Sequence, residues 1–246
     1  MLHVRPSAFA GANRGPQLGF LPPLPALVTP LVPRLLVLMV LVASFVGLTL
    51  VVSAGWLGSL DHQVLVAMSS SWSESLHPLF QFLAELGGLE VTSILMLGRF
   101  IDLLRGGFGA DALVVLAFAG GLALEILYKV VLYHPGPPRA IAHRDGPSVT
   151  DLLTSGGGLN SFPSGHVVRA VVAYGLIAFV VRRLAPWPIA RALAIPIAAV
   201  LIIIVSFDRL YLDAHWESDV IGGLLLGAIA LLAGTVWLDR PRRADN

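Results

Sequence analysis

The sequence predicts an all-α protein, a bundle of six transmembrane helices with a functional site at its outward-facing end. Two observations indicate a membrane location: 56% of the residues are hydrophobic and 13% are charged, and the mean hydropathy is +0.82. Soluble domains carry about twice this share of charged residues. The third observation is that the apolar residues form long segments, and about 20 such residues cross a bilayer as a helix.

Composition also excludes several classes of partner and site. The net charge is only +1 and no basic block with interleaved aromatic residues occurs, which argues against binding to nucleic acid. The chain has no cysteine, so disulfides and thiolate metal sites are excluded. We find no internal repeat and no second domain.

The chain begins with a segment that is not expected to cross the membrane. Residues 1–33 are rich in proline and glycine and are interpreted as a disordered cytoplasmic tail. The first span covers residues 35–57, where no charged residue occurs. Residues 58–78 are too polar to cross a bilayer, and we expect them to return along its surface.

Five more apolar segments complete the predicted membrane domain, residues 34–239, which is followed by a basic cytoplasmic tail, residues 240–246. The loop between the third and fourth spans is rich in proline and glycine and is expected to be irregular. Arg169 lies one turn inside the fourth span, and the sequence names no partner for it. The five segments are residues 79–97, 112–133, 165–181, 192–207 and 220–238.

The arginines predict the orientation of this bundle. Most of them lie in the two tails and in the turns at residues 99–105 and 182–191, which six spans would place on one side. The positive-inside rule makes that side cytoplasmic. Residues 129–166 and 208–219 are therefore both expected to face outward and to meet at one surface.

The most polar stretch of the chain, residues 206–219, is a candidate reaction centre. His215 and Asp219 are four residues apart, so on a helix the carboxylate holds one ring nitrogen and leaves the other free as a nucleophile. Arg209 is close enough in sequence to bind an anion beside it. The alternative is an ordinary helix start, with the His215–Asp219 pair facing water.

Two further polar clusters lie on the predicted outer side. Lys129, the only lysine, follows Glu125 by four residues, in the order that favours a helical ion pair. The alternative role for this lysine is to extend its ammonium group to the membrane interface.

The second cluster, residues 160–166, includes Pro163, which favours a helix start. Ser164 and Gly165 would let backbone N–H groups approach an anion, and His166 could transfer a proton to a bound group. The alternative is a capped helix start with a solvated histidine. Three such clusters on one side of a charge-poor chain favour a single anion site.

These motifs resemble those of the type 2 phosphatidic acid phosphatases, a superfamily of membrane phosphatases. Its signature is a lysine, six residues, then Arg-Pro; a Pro-Ser-Gly-His box; and Ser-Arg, five residues, His, three residues, Asp. The resemblance covers roughly residues 57–238. The matching positions, in chain order, are Lys129, Pro163, Ser164, Gly165, His166, Arg209, His215 and Asp219.

Two positions depart from this signature. Gly136 occupies the position of the first arginine, and Asp208 that of the serine before Arg209. Arg139, three residues beyond the gap, is a candidate replacement for the missing arginine. Asp208 should oppose a phosphate unless it turns away and pairs with an arginine.

The resemblance implies a metal-independent phosphatase without a cofactor. His215 would form a phosphohistidine, with Asp219 fixing its tautomer, and His166 would protonate the leaving oxygen and then activate water. The phosphate oxygens would be bound by Lys129, Arg209, Arg139 and the backbone of Ser164 and Gly165.

The expected substrate is a lipid phosphate in a bacterial plasma membrane. Phosphatidate, phosphatidylglycerol phosphate and undecaprenyl diphosphate all place a phosphate at headgroup level, and the sequence does not select one of them. The alternatives are a lipid phosphotransferase that uses the same site and a non-catalytic lipid-phosphate binder or transporter. The sequence makes no prediction of the oligomeric state.

Overall fold

The computed structural model describes residues 31–138 and 160–239, and within these residues it is helical apart from one isolated bridge between Pro135 and Asn160. The predicted all-α class is therefore confirmed. Three of the sequence predictions lie outside the described residues: the tail over residues 1–30, the phosphate contact of Arg139, and the tail over residues 240–246.

The described residues form nine α-helices and two short 3-10 turns. The turns are Glu74–Leu76 and Glu85–Gly87. The helices are α1 Leu31–Ser53, α2 Gly58–Ser70, α3 His77–Ala84, α4 Leu89–Arg105, α5 Gly109–Ala112, α6 Val115–Val131, α7 Gly165–Leu184, α8 Pro188–Tyr211 and α9 Glu217–Leu238.

Each of the six predicted spans coincides with helical structure, with some differences at the ends. Four helical stretches in the described residues are long and apolar enough to cross a membrane, and the bent pair Glu74–Gly87 and Leu89–Arg105 would make a fifth. The count of six stays a prediction. Helix α1 begins at Leu31, so residues 31–33 were wrongly included in the tail, because Pro33 is tolerated in the first turn of a helix. The four stretches are Val32–Ser53, Gly109–Val131, Pro188–Tyr211 and Glu217–Leu238.

The second predicted span is not one continuous helix. It is interrupted between α3 and α4, which are bent by 40°. The carbonyl groups freed at this break are bound by α7: Tyr174 Oη donates to Leu86 O at 2.6 Å, and Arg169 Nε donates to Gly87 O at 3.1 Å. Non-helical backbone is stable at membrane depth only where protein groups satisfy it in this way.

Helix α7 is the centre of the bundle and packs against α4, α6, α8 and α9. Two glycines of α9, Gly223 and Gly227, are four residues apart and face it. A Cβ at Gly223 would lie 2.7 Å from Ser164 O, and one at Gly227 would lie 2.7 Å from Val171 Cβ. Small residues at this spacing let two helices approach closely, and here they bring the starts of α7 and α9 together.

The two ends of the bundle differ in their charged residues. At one end, Arg34 of α1 and Arg183 of α7 both bind Asp239, at 2.6 and 2.9 Å. At the other end lie the last turns of α6 and α8 and the first turns of α7 and α9. These four helix ends carry the three polar clusters identified in the sequence.

Candidate active site

His215 lies in the short connection between α8 and α9. Its backbone N–H donates to Arg209 O at 3.2 Å, and its Nδ1 lies 3.2 Å from Asp219 Oδ2. A carboxylate only accepts hydrogen bonds, so Nδ1 carries the proton and Nε2 presents a lone pair. Asp219 Oδ2 also accepts the Trp216 N–H at 3.0 Å, which caps α9 and fixes the carboxylate.

Arg209 lies in the last turn of α8, near His215, and is 6% exposed. Its Nε donates to Asp208 Oδ2 at 2.8 Å, and its Nη2 also binds this oxygen. Asp208 therefore pairs with an arginine, as the sequence required if an anion is to bind here. Arg209 is also the arginine predicted to hold the phosphate. Asp208 binds its Nε and Nη2, so among the described residues Nη1 is left for another acceptor.

The Pro-Ser-Gly-His box starts α7, as predicted. Ser164 N–H donates to Asp219 O at 2.9 Å, so this N–H is not available to a phosphate and that part of the prediction is wrong. The Ser164 hydroxyl is fully buried and has no hydrogen-bond partner among the described residues. A Cβ at Gly165 would lie 1.8 Å from Glu125 Oε1, so the glycine makes room for a carboxylate of the chain itself.

Glu125 and Arg169 form a buried ion-pair network under the box. Arg169 Nη1 donates to Glu125 Oε2 at 2.9 Å, which identifies the partner that the sequence does not name. Lys129 Nζ lies 3.2 Å from Glu125 Oε1, so the helical pair four residues apart is confirmed. All three side chains are at most 7% exposed. One carboxylate thus compensates two cations, and the network keeps a positive charge.

The same network contacts His166, which is partly exposed. Arg169 Nη2 lies 3.4 Å from His166 Nδ1. A guanidinium only donates, so Nδ1 of the neutral ring is the acceptor and the proton is on Nε2. Gly87 at the break between α3 and α4 packs against the base of this side chain, since a Cβ there would lie 3.0 Å from His166 Cβ.

A third histidine, His134, reaches the same aspartate. Its Nε2 lies 3.3 Å from Asp219 Oδ1, the oxygen that does not contact His215. The loop that carries it is fixed by Asn160, whose side chain donates to Lys129 O and accepts His134 N–H, both at 2.9 Å. Asp61 of α2 lies behind, accepting the N–H and hydroxyl of Ser218 at 2.9 Å each.

The pKa values of the groups in the connecting loops are shifted in opposite directions. Burial lowers the pKa of His215, against the opposing effect of the Asp219 hydrogen bond and charge, and the charges of Lys129 and Arg209 lower it further. Burial alone would lower the pKa of His134, but the contact with Asp219 and its charge outweigh burial and raise it. The surroundings of His215 therefore shift it toward its neutral, nucleophilic form, and those of His134 shift it toward its charged form, each relative to a histidine in water.

The structure thus brings the predicted site residues of the described chain to one end of the bundle. They lie in or directly beside four helices, α6 to α9, and are Lys129, Ser164, Gly165, His166, Arg209, His215 and Asp219. No group of three or more His, Asp or Glu side chains suited to holding a metal ion is found in residues 31–138 and 160–239. Whether these residues perform the roles assigned to them remains a prediction.

Sequence reasoning missed the contribution of three residues to this site. His134 lies within the first motif, directly before Pro135, and could have been found as a titratable residue next to the lysine-motif loop. Asp61 lies in the polar segment after the first span, which forms α2, and Asn160 precedes the Pro-Ser-Gly-His box by three residues. No sequence spacing indicates that the first two approach Asp219 and its helix.

The part of the chain that forms this site is similar to known proteins. A family model described as the PAP2 superfamily matches residues 108–243, which include all three motifs. A similar curated protein is phosphatidylglycerophosphatase B of Bacillus subtilis (strain 168), 39% identical over 70 residues. The matched stretch is 28% of this chain and spans about a third, 34%, of that protein.

A solved structure has the same fold over most of the chain. It is the crystal structure of the first transmembrane PAP2 type phosphatidylglycerolphosphate phosphatase from Bacillus subtilis. The TM-score is 0.68, and the alignment covers 84% of this chain and 98% of that one at 24% sequence identity. The all-helical membrane architecture is therefore shared.

Proposed function

Because the chain belongs to the PAP2 superfamily, we propose that it is a membrane phosphatase that removes phosphate from a lipid through a phosphohistidine intermediate. The observation that supports this most is the contact of Asp219 with Nδ1 of His215 at 3.2 Å. It leaves Nε2 as a free nucleophile at the end of the bundle where Lys129 and Arg209 also lie.

In the first step, His215 Nε2 attacks the phosphorus atom. The N–P bond forms while the bond from phosphorus to the lipid oxygen breaks, and the leaving oxygen takes a proton from His166. Asp219 stabilises the positive charge that develops on the His215 ring. His166 must be protonated before this step, and a protonated ring can no longer accept the Arg169 contact at 3.4 Å. The negative charge of a bound phosphate would favour this protonation.

In the second step, water attacks the phosphohistidine. His166 takes a proton from the water, the N–P bond breaks, inorganic phosphate leaves, and His215 returns to its neutral form. Lys129 and the free Nη1 of Arg209 would offset the charge on the phosphate oxygens, where positioning and electrostatics supply most of the catalysis. The buried hydroxyl of Ser164 is a further donor, and Arg139 of the loop outside the described residues would supply another cation.

Among the three lipid classes, phosphatidylglycerol phosphate is the first candidate. The reason is the name of the Bacillus relative, which describes action on this lipid. Its phosphate lies at headgroup level while its acyl chains stay in the bilayer, which suits a site at the ends of membrane helices. We place this end of the bundle on the outer face of the plasma membrane, with both tails in the cytoplasm, following the positive-inside rule.

The test is release of inorganic phosphate by the purified full-length protein in detergent. We expect activity on at least one of phosphatidylglycerol phosphate, phosphatidate and undecaprenyl diphosphate, and loss of it in His215→Gln and His166→Gln. The matched control is His62→Gln, which replaces an exposed histidine of α2 and should keep full activity. Release by wild type that survives His215→Gln would contradict the phosphohistidine mechanism.

The products separate this proposal from its alternatives. Transfer of 32P from labelled lipid to another lipid rather than to water would identify a phosphotransferase. Tight binding of all three lipids without release of phosphate would identify a non-catalytic binder. The pairing of Asp208 with Arg209 favours neither alternative directly, since it leaves Nη1 of the guanidinium available.

A further inference from the structure

Asp219 is contacted by two imidazoles, one on each of its oxygens. His215 Nδ1 lies 3.2 Å from Oδ2, and His134 Nε2 lies 3.3 Å from Oδ1. The carboxylate is fully buried. Neither Oδ1 nor His134 Nε2 has a hydrogen-bond partner in the described chain, and the ion-pair contact at 3.3 Å is what brings these two buried atoms together.

His134 is held in this position by its own supports. Asn160 accepts its backbone N–H and ties it to the last turn of α6, and Ser161 donates its N–H to His134 O at 2.8 Å. Its ring lies edge-on to Phe162, with centroids 6.3 Å apart. A side chain fixed by backbone contacts on both sides is suited to orienting a neighbour.

We propose that His134 is a positioning residue that acts through Asp219: it holds Oδ1 so that Oδ2 stays on His215, and its protonation state sets how much negative charge His215 experiences. This proposal rests on the proposed function, because it assigns His215 as the nucleophile. The loop of the lysine motif would thereby be connected to the nucleophile, which lies more than eighty residues further along the chain.

The electrostatic surroundings of both rings determine the sign of this effect. Burial would lower the pKa of His134, but the contact with Asp219 and the charges of Asp219 and Asp61 raise it overall. His215 faces Asp219 and the cations Lys129 and Arg209.

The ring of His166 also lies near His215. A protonated His134 partly neutralises Asp219, so less negative charge is left to stabilise an imidazolium at His215. Replacing His134 by a neutral side chain should therefore make His215 easier to protonate.

Two variants separate positioning from charge. In His134→Gln, Nε2 of the amide can still donate to Oδ1 but cannot titrate. In His134→Ala, both the donor and the charge are lost. The matched control is Tyr133→Phe, since Tyr133 is the preceding residue and is 83% exposed.

We expect His134→Gln to keep kcat at neutral pH within about threefold of wild type, and to move the acid limb of kcat/KM to higher pH. We expect His134→Ala to lower kcat about tenfold with KM changed by less than about threefold, because the nucleophile rather than substrate binding is disturbed. Tyr133→Phe should change neither quantity.

Two results would overturn the proposal. One is a wild-type pH profile in His134→Gln. The other is a change in KM alone in His134→Ala, which would make His134 a substrate contact. If His134→Ala does not fold, the pH profile of His134→Gln still decides.

A turnover-free measurement separates this proposal from the proposed function. The titration of His215 can be followed by NMR of 13C-histidine-labelled protein in micelles, with the signal assigned by His215→Gln. A midpoint that rises in His134→Gln supports the proposal even if no tested lipid is hydrolysed. An unchanged midpoint overturns it even if wild type is an active phosphatase.

Discussion

The two ends of the helical bundle use the same kinds of charged side chain in different ways. At the end formed by α1, α7 and α9, Asp239 binds two arginines, Arg34 and Arg183, directly. At the site end, Asp219 binds two histidines, His134 and His215. Guanidinium groups stay charged at any physiological pH, whereas an imidazole gains and loses its proton there.

This difference separates a structural charge cluster from a chemical one. Asp239 and its arginines hold helix ends together, and both oxygens of this carboxylate are engaged by guanidinium groups. Asp219 leaves Nε2 of His215 free, and the cations nearby are shared with carboxylates rather than fully neutralised. The presence of arginines at a membrane boundary therefore does not by itself indicate a reaction site. The groups that contact the nearby carboxylates are the informative feature.

The largest effect is expected at the carboxylate of the chemical end. Asp219→Asn should lower kcat by about a hundredfold to a thousandfold, because the amide favours the wrong tautomer of His215 and no longer stabilises its charge. The measurement is single-turnover phosphate release, with Asp102→Asn on the exposed end of α4 as control. Equal losses of kcat in both variants would mean that Asp219 has no special role in the reaction.

The next effect is on stability. Glu125→Gln should destabilise the protein by about 3 kcal/mol, because it leaves Arg169 and Lys129 buried without a counter-charge. For a chain of this size that is a fall of about 6 to 12 °C in the unfolding midpoint. Arg34→Gln at the other end should cost about 1 kcal/mol or less, since Asp239 stays paired with Arg183 at 2.9 Å. Thermal unfolding in detergent measures both.

A smaller effect of opposite sign is expected at Asp208. Asp208→Ser removes a negative charge from the arginine assigned to the phosphate and should raise kcat/KM about three- to tenfold. The control is Asp102→Ser, which makes the same change in charge far from the site. A fall in kcat/KM would show that Asp208 orients Arg209 more than it competes with the phosphate.

The pH profile should reflect the lowered pKa of His215. Only the neutral ring attacks phosphorus, so activity is present above this pKa and falls as the pH drops through it. Because burial lowers the pKa, the acid limb of kcat/KM should lie below the ordinary histidine value of about 6.5. A limb above that value would contradict a buried, neutral nucleophile.

The smallest expected effect is that of metal chelation. Lys129 and Arg209 are assigned the charge neutralisation that a magnesium ion would otherwise give, so treatment with EDTA should change phosphate release by less than about twofold. The measurement compares EDTA-treated protein with and without added magnesium. Activity that EDTA abolishes and magnesium restores would contradict the metal-free mechanism.

Much of this architecture was predictable from the sequence, because membrane helices and motif spacings are local. The apolar segments gave the helices, and the spacing of four placed Glu125 on Lys129 through helix geometry alone. His215 precedes the first residue of α9, so its contact with Asp219 crosses the start of that helix and does not run along it. The break between α3 and α4 was not predictable in the same way. It depends on Tyr174 and Arg169, which bind its carbonyl groups from a helix more than eighty residues away.

The site shows the same division. The sequence by itself determined the class of fold and the family, and it indicated the residues to which the phosphoryl-transfer roles are assigned, since these depend on composition and short-range pattern. Only the tertiary structure decided that His134 reaches Asp219, that Glu125 fills the space left by Gly165, and that the partner of Arg169 is Glu125. Such contacts join separate helices, and the close packing that creates them has no signature within any one segment.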